Sequence, residues 1–361
     1  MIIPIMFSEK LGMTPRLLRP ILALTLILAL AACSAEASTR TDTADEGPTT
    51  TATPVTAPST IPAGVTLRVG DQFDFLQTVL GLSKQDQDLD YEVEYSAFVG
   101  GPPMLQAFQA GAIDTGFVFS TPLIFAQAAG QPIKAVAAWA PEQGNYGLVI
   151  APGKTEIEDW ADLAGKKVAF QKGTALEAVV LQNLDEAGLT LADITPVDLP
   201  ATQISSALQS GSADAGVLTE PLTSAYLGGN PTAAEVAKSE AITDRTSLLI
   251  AGEPTLDDAG KSAALADYIQ RLVRAYDYLE DHPEQIAQAV YVETYGLTPE
   301  RAAELVEESG PTSFIELPGD ILEQQQKLAD LFHANGEIPE EIDVSQEFDT
   351  RFNDLVEEAA S

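Results

Sequence analysis

The sequence predicts a two-lobed α/β protein with a cleft between its lobes, and three observations predict it. First, a segment is repeated: residues 107–116 read AFQAGAIDTG and residues 207–216 read ALQSGSADAG, each leading into a short apolar run, Phe117 to Pro122 and Val217 to Pro221. Second, the match extends upstream, where Leu67-Arg68-Val69 and the Gln72 loop align with Lys166-Lys167-Val168 and the Gln171 loop. Third, strand-like and helix-like segments alternate through both copies, the pattern of βαβ units on a mostly parallel sheet. Each copy is too large for a solenoid unit and suits half of a bilobal protein, whose cleft is where function is sought.

The elements follow in order. Val65 to Val69 alternates as a strand and stops at Gly70, Asp71 to Leu80 has helix-like spacing, and Tyr91 to Phe98 alternates again. Gly100-Gly101-Pro102-Pro103 breaks that strand and opens a helix over Met104 to Ala110, with proline where a first turn tolerates a missing N–H. Val118-Phe119 and Ala135 to Trp139 supply strands on either side of a helix at Leu123 to Ala129. The runs Leu148 to Ala151 and Leu248 to Ala251 flank the second copy and read as strands crossing between the lobes. Beyond Ala259 the pattern is helical (Leu265 to Leu279, Pro283 to Thr294, Pro299 to Glu308, Ile321 to Asn335), a tail expected to pack on the first lobe with its acids turned to solvent.

The amino terminus carries a different signal. Lys10, Arg16 and Arg19 precede the apolar run Ile21 to Leu30, which is too short to span a bilayer and ends in Leu30-Ala31-Ala32-Cys33, so it reads as a secretory signal. Leu-Ala-Ala-Cys resembles the lipobox of bacterial lipoproteins, in which the cysteine becomes the lipidated first residue; an ordinary signal with a cysteine beside its cleavage site is the alternative. Either Met1 or Met13 serves as a start. Residues 34–63, rich in Ser, Thr, Ala and Pro, bury too little to fold and read as a tether. The expected organisation is a signal peptide at 1–32, lipidated Cys33 and disordered tether at 33–63, a first lobe at 64–151 and 247–361, and a second at 152–246. A membrane is thus an expected partner through the lipid anchor.

Composition excludes several classes of function. A net charge of −35 repels polyphosphates, so nucleic acid is excluded as a partner. Cys33 is the single cysteine, which leaves neither a disulfide nor thiol chemistry. The two histidines, His282 before a proline and His333 near a helix end, stand apart from any partner nucleophile or metal ligand, and no Gly-rich phosphate loop is present. No catalytic residue, metal or cofactor is expected.

Asp162-Leu163-Ala164-Gly165-Lys166-Lys167-Val168, the paired repeat, Phe125 to Gly130 (FAQAAG) and the carboxyl-terminal EQQQKLADLFHANGEIPEEIDV together resemble the solute-binding proteins of ABC importers in the sulfonate, nitrate and taurine group, most of all the alkanesulfonate-binding branch. The resemblance runs from Val65 to Phe348. It implies the type II periplasmic-binding-protein-like fold, a monomer, an ABC permease as partner, and capture of a small polar solute such as an aliphatic sulfonate. Taurine, nitrate or a thiamin-pyrimidine precursor are the alternatives within that class. A cleft enzyme or a sensor on the same fold is the alternative outside it; the thiamin-pyrimidine synthases of this fold use a cysteine-rich motif that this chain lacks.

Holding a small anion away from water needs N–H and O–H donors that already converge, and helix amino termini supply them. Loop-to-helix transitions fall at matched places: Gln72-Phe73, Gly100-Gly101 and Ser120-Thr121 in the first copy, Gln171 to Thr174 (with Gly173) and Thr219-Glu220 in the second. Each also reads as an ordinary cap or turn. The resemblance places these loops around the ligand and Arg245 on a hinge loop facing it, where a guanidinium grips a sulfonate by two parallel bonds; a surface pair with Asp244 is the alternative. Where the group has Asn-Lys-Gly-Ser-Asn and Trp-Asp-Pro, this chain has Gln171-Lys172-Gly173-Thr174-Ala175 and Thr219-Glu220-Pro221. Glu220 in the cleft repels a simple anion and suits an amine or hydroxyl. Trp139 and Tyr146 lie near the cleft edge, with core packing the expected use of Trp139.

Overall fold

A computed structural model describes residues 60–144, 146–239 and 246–361. The segment read as a signal sequence, Cys33, the part of the expected tether before residue 60 and Arg245 lie outside the described residues. Among the described residues eleven strands run in chain order: β1 (Thr66–Gln72), β2 (Glu92–Phe98), β3 (Thr115–Phe119), β4 (Ile133–Pro141), β5 (Tyr146–Ile150), β6 (Lys167–Phe170), β7 (Thr195–Asp198), β8 (Ala215–Thr219), β9 (Glu235–Ser239), β10 (Ser247–Gly252) and β11 (Thr312–Ile315). Among the described residues they form a six-stranded sheet, β11-β4-β10-β3-β1-β2, and a five-stranded sheet, β7-β6-β8-β5-β9.

The helices are α1 (Phe75–Leu82), α2 (Gly101–Gln109), α3 (Ser120–Ala128), α4 (Ala175–Glu186), α5 (Ala201–Gln209), α6 (Leu222–Gly229), α7 (Glu253–Asp257), α8 (Ala259–Asp281), α9 (Pro283–Ile286), α10 (Pro299–Ser309), α11 (Ile321–Ala334) and α12 (Asn353–Ala359). A π-helical turn, Ala287–Val292, continues α9 in place of the unbroken helix to Thr294 that the spacing predicts.

The repeat in the sequence is a repeat of topology. The order β4-β10-β3-β1-β2 in one sheet corresponds to β9-β5-β8-β6-β7 in the other. Registers correspond too: β10 sets Ile250 opposite Gly116 and Ala251 opposite Thr115, and β5 sets Val149 opposite Gly216 and Ile150 opposite Ala215. This corrects two expectations. Tyr146–Ile150, expected in the first lobe, is a strand of the second sheet, so the chain passes between sheets just after Pro141 and again between Ser239 and Ser247. The sheets are also mixed rather than mostly parallel, because β5 and β10 each run antiparallel to both neighbours. Each arrives from the other sheet, without the crossover helix that enforces parallel pairing.

The repeated Gly-x-x-Asp-x-Gly has a physical reason. The first glycine, Gly111 or Gly211, ends its helix at φ +63° or +71°, a conformation that disfavours a side chain. The aspartate then clamps the start of the neighbouring strand. Asp114 accepts from the Arg68 amide (3.0 Å), from Arg68 Nε and Nη2 (2.9 and 2.6 Å) and from Lys261 Nζ (2.7 Å). Asp214 accepts from the Lys167 amide (2.9 Å) and pairs with Lys154 Nζ (2.7 Å). At the last glycine the neighbouring chain comes too close for a side chain: a Cβ on Gly116 would lie 2.8 Å from Gly70 O, and one on Gly216 2.8 Å from Ile204 Cγ2.

One face of the first sheet packs Leu67, Val69 and Trp139 against Tyr268 and Ile269 of α8; the other packs Leu248 and Ile250 against Met104 and Leu123 of α2 and α3. The second sheet closes on Val168, Phe170 and Leu218. Leu328 and Phe332 of α11 join that second core, and Phe332 meets Phe125 of α3 edge-on at 4.9 Å. The carboxyl-terminal tail therefore packs on both sheets, not on the first alone.

Candidate functional site

The carboxyl ends of β1, β3, β6 and β8 point their loops at one cavity of about 900 Å³ lined from both sheets. Gln72, Phe73, Gly100 and Gly101 line it from the first sheet, and Gln171, Thr174, Thr219 and Glu220 from the second. Ser120 and Thr121 do not: they are buried under the wall at 6% and 0% exposure, because α3 begins one residue past β3 with no loop to lift them out. Gly173 also lies off the cavity wall, where a Cβ would sit 3.3 Å from Pro102 Cγ. Arg245 lies outside the described residues. Trp139, expected in the core, is both buried and part of the wall, as is Tyr146.

The loops converge, yet most of the donors expected of their helices are already used. At α1 the chain passes Phe73 and Asp74 in the left-handed region (φ +59° and +57°), an arrangement that costs free energy for residues with side chains. That bend brings Asp71 beneath the first turn, where its carboxylate accepts from the amides of Leu76 and Gln77, both at 2.9 Å. Asp71 is fully buried, and burial pushes its pKa up to about 6 against the pull of those amides. The positive end of α1 thus already faces a carboxylate, which leaves it a poor seat for an anion.

The second sheet solves the same problem differently. Thr174 Oγ1 caps α4 through the Leu176 amide (3.3 Å), and buried Glu177 accepts from the Gly173 amide (2.8 Å) with Lys172 Nζ 3.6 Å away. Burial pushes the Glu177 carboxyl up from its ordinary value. Gln171 Oε1 accepts from the Ala201 amide at the head of α5 (3.0 Å), which leaves its Nε2 as a donor; Glu220 accepts from the Ser224 amide in α6 (3.2 Å). At α2, Pro102 and Pro103 remove two N–H groups and leave that of Gly101.

The two sheets meet across the cavity mouth. A Cβ on Gly100 would lie 2.8 Å from Gln171 Nε2, so this glycine lets the loops approach. On the opposite side Arg301 of α10 donates through Nε to Ser224 Oγ (2.9 Å) and lies 3.4 Å from Glu220, while also pairing with Glu304 and Glu308. Lys172 reaches Glu337, beyond α11, at 2.9 Å. Glu220 is consequently neutralised in part by a cation from the helical tail.

That tail is the part of the site the sequence reading missed. The end of α8, α9, the π-helical turn and α10 all line the cavity, bringing Tyr276, Tyr291 and Tyr295 to it. Composition offered one cue: Tyr276 and Tyr291 are large aromatic residues on helices expected to pack on the first lobe with only their acids turned to solvent. π-Helical turns often occur at functional sites. Among the described residues no Lys, Arg or His lines the cavity, whereas six glutamates do.

The family model described as NMT1/THI5 like matches residues 86–286. An aliphatic sulfonates-binding protein of Escherichia coli (strain K12) is 32% identical over 285 residues, 78% of this chain and 87% of that protein. The solved alkanesulfonate-binding protein SsuA from Xanthomonas axonopodis pv. citri, bound to MOPS, is 27% identical with a TM-score of 0.69 over 80% of this chain and 99% of its own. The periplasmic aliphatic sulphonate binding protein SsuA from Escherichia coli gives 27% and 0.67 over 79% and 92%. With the paired sheets, the cavity between them and the family model all in agreement, the chain belongs to the NMT1/THI5-like family and has the two-lobed fold of periplasmic binding proteins.

Proposed function

We propose that this chain is the extracytoplasmic solute-binding component of an ABC importer and captures an aliphatic sulfonate without altering it. The observation that carries the reading is a cavity lined by matched loops of two repeated sheets, in a chain 32% identical over 285 residues to a sulfonate-binding relative. Capture proceeds by closure of the lobes, here residues 64–141 with 247–361 against 146–239, and the ligand favours the closed state through contacts made to both. Gln171, Thr219, Gly100-Gly101 and Arg245 are the groups proposed to hold the sulfonate, and a permease takes it from the closed protein. Calorimetric titration of the full chain with ethanesulfonate, taurine and nitrate tests this: micromolar or tighter binding of a sulfonate, recovered unchanged, is expected. Absence of heat with every sulfonate, or a converted ligand, overturns it.

The six glutamates on the cavity wall favour one second reading, an aminosulfonate such as taurine whose ammonium meets a carboxylate. In that case Glu220→Gln weakens taurine and leaves ethanesulfonate unaffected.

The same reading includes a lipid on Cys33, residues 34–63 as tether and a monomeric folded part. Cys33→Ala is expected to release the protein from the membrane with its unfolding temperature unchanged; retention in the membrane fraction contradicts the anchor.

A further inference from the structure

We infer that the captured solute carries a ring, and that the wall of this cavity selects a cyclic, preferably aromatic, body over a linear alkyl chain; this rests on the sulfonate reading above and specifies its substrate class. Of the chain's 13 Phe, 9 Tyr and 2 Trp, four, four and one line this single cavity, a concentration far beyond what a polar headgroup needs. The rings are contiguous. Phe75 of α1 lies 6.1 Å from Phe117 of β3, Phe117 lies 6.1 Å from Trp139 of β4, and Trp139 lies 5.9 Å from Tyr276 of α8. Behind them Phe314 of β11 packs on both Trp139 and Tyr276 at 5.7 Å, which fixes those two rings from the far side. Phe119, Tyr291 and Tyr295 extend the lining, and all three are only half-buried.

Two physical consequences follow. Aromatic faces reward another ring placed offset or edge-on beyond the area it covers, whereas an alkyl chain gains from area alone. A linear chain also surrenders rotational freedom at every bond when it is fixed in a cavity, which a planar ring does not. The wall is held in place by its own ring contacts, so it is formed before the ligand arrives. A volume of about 900 Å³ lies at the upper end of the range of small-molecule pockets and exceeds what a two-carbon sulfonate fills.

Calorimetry of the full chain with pairs matched in carbon number, benzenesulfonate against hexane-1-sulfonate and naphthalene-2-sulfonate against decane-1-sulfonate, tests the inference. The ring member of each pair is expected to bind at least tenfold more tightly. Phe119→Leu and Tyr291→Leu, which keep apolar bulk and remove a ring, are expected to narrow that ratio at least threefold by weakening benzenesulfonate more than hexane-1-sulfonate. Equal or reversed order within both pairs, or a ratio unchanged in both variants, overturns the inference and leaves the sulfonate reading standing. Naphthalene-2-carboxylate and 2-naphthylmethanol separate the two claims. If these bind while no sulfonate does, the sulfonate reading falls and the ring inference stands; if no ring compound binds at all, the inference falls.

Discussion

The two sheets share topology, register and the Gly-x-x-Asp-x-Gly turn, yet they present opposite surfaces to the cavity. The first sheet and the helical tail contribute the rings of Phe75, Phe117, Phe119, Trp139, Tyr276 and Tyr291 together with four of the six glutamates; the second half contributes one aromatic residue, Tyr146, with Gln171, Thr174, Thr219 and Thr223, two glutamates and small apolar residues such as Ala175 and Leu222. The repeat supplies the frame, and divergence of the loops divides the labour: the rings that suit a hydrocarbon body are gathered on one half, and the uncharged polar side chains of Gln171, Thr174 and Thr219 that suit a polar head lie on the other. A ligand with both ends bridges the halves and stabilises closure, whereas a ligand with one end engages a single half.

The largest expected effect separates the two repeated aspartates. Asp114, with 4% of its side chain exposed, holds two cations and a backbone amide, whereas Asp214, at 18%, holds one cation and an amide. Asp114→Ala leaves the Arg68 amide without its acceptor and removes the partner of two partly exposed cations, and is expected to cost about 2 kcal/mol. Asp214→Ala is expected to cost about 1 kcal/mol. Urea unfolding midpoints measure both, and equal losses would mean that the two turns are energetically alike despite their different burial.

Comparable in size is a pair of glycines with the same backbone sign and different surroundings. Gly100 (φ +83°) faces Gln171 across the mouth, whereas a Cβ added to Gly111 (φ +63°) would meet nothing within 4 Å. Gly111→Ala adds strain of about 1 kcal/mol, and Gly100→Ala, at ψ 172° in a region open essentially to glycine alone, about 2 kcal/mol. Gly100→Ala alone is expected to push the sheets apart and weaken ligand about tenfold; parallel calorimetry and thermal melts distinguish strain from loss of closure.

The smallest effect is a pH dependence. Glu347 is buried beside Gln325, whose Nε2 donates to it (2.7 Å) and to Ser120 O (3.1 Å), and burial pushes its pKa up to about 8. The folded protein therefore binds this proton more tightly than the unfolded chain, so the contribution is complete below the ordinary carboxylate range and is lost as pH rises toward and through 8. Glu347→Gln is expected to raise the unfolding temperature by a few degrees at pH 8.5 and to leave it unchanged at pH 4. A variant equally displaced at both values would exclude titration of this group as the cause.

Much of the frame was legible because repetition and alternation are local patterns. The repeat located β1, β3, β6 and β8 and the loops that reach the cavity. Sheet membership of Tyr146–Ile150 was not legible, since an apolar run bears no mark of which sheet completes its hydrogen bonds. Nor was the cap on α1: nothing in Gln72-Phe73-Asp74 signals two left-handed residues, and that bend lets Asp71 occupy the helix end proposed for an anion. The pairing of Arg301 with Glu220 and the approach of Tyr276 and Tyr291 to Trp139's cavity join segments distant in sequence, where no local period reports contact.

The division of labour is tested most directly by a crystal structure of the full chain with a bound sulfonate. The account predicts the sulfonate oxygens within hydrogen-bond distance of the loops at Gln171–Thr174 and Thr219–Glu220, and the hydrocarbon against Phe75, Phe119 and Tyr276. A sulfonate seated against α1 and the first sheet, with its hydrocarbon directed to the second, would contradict it.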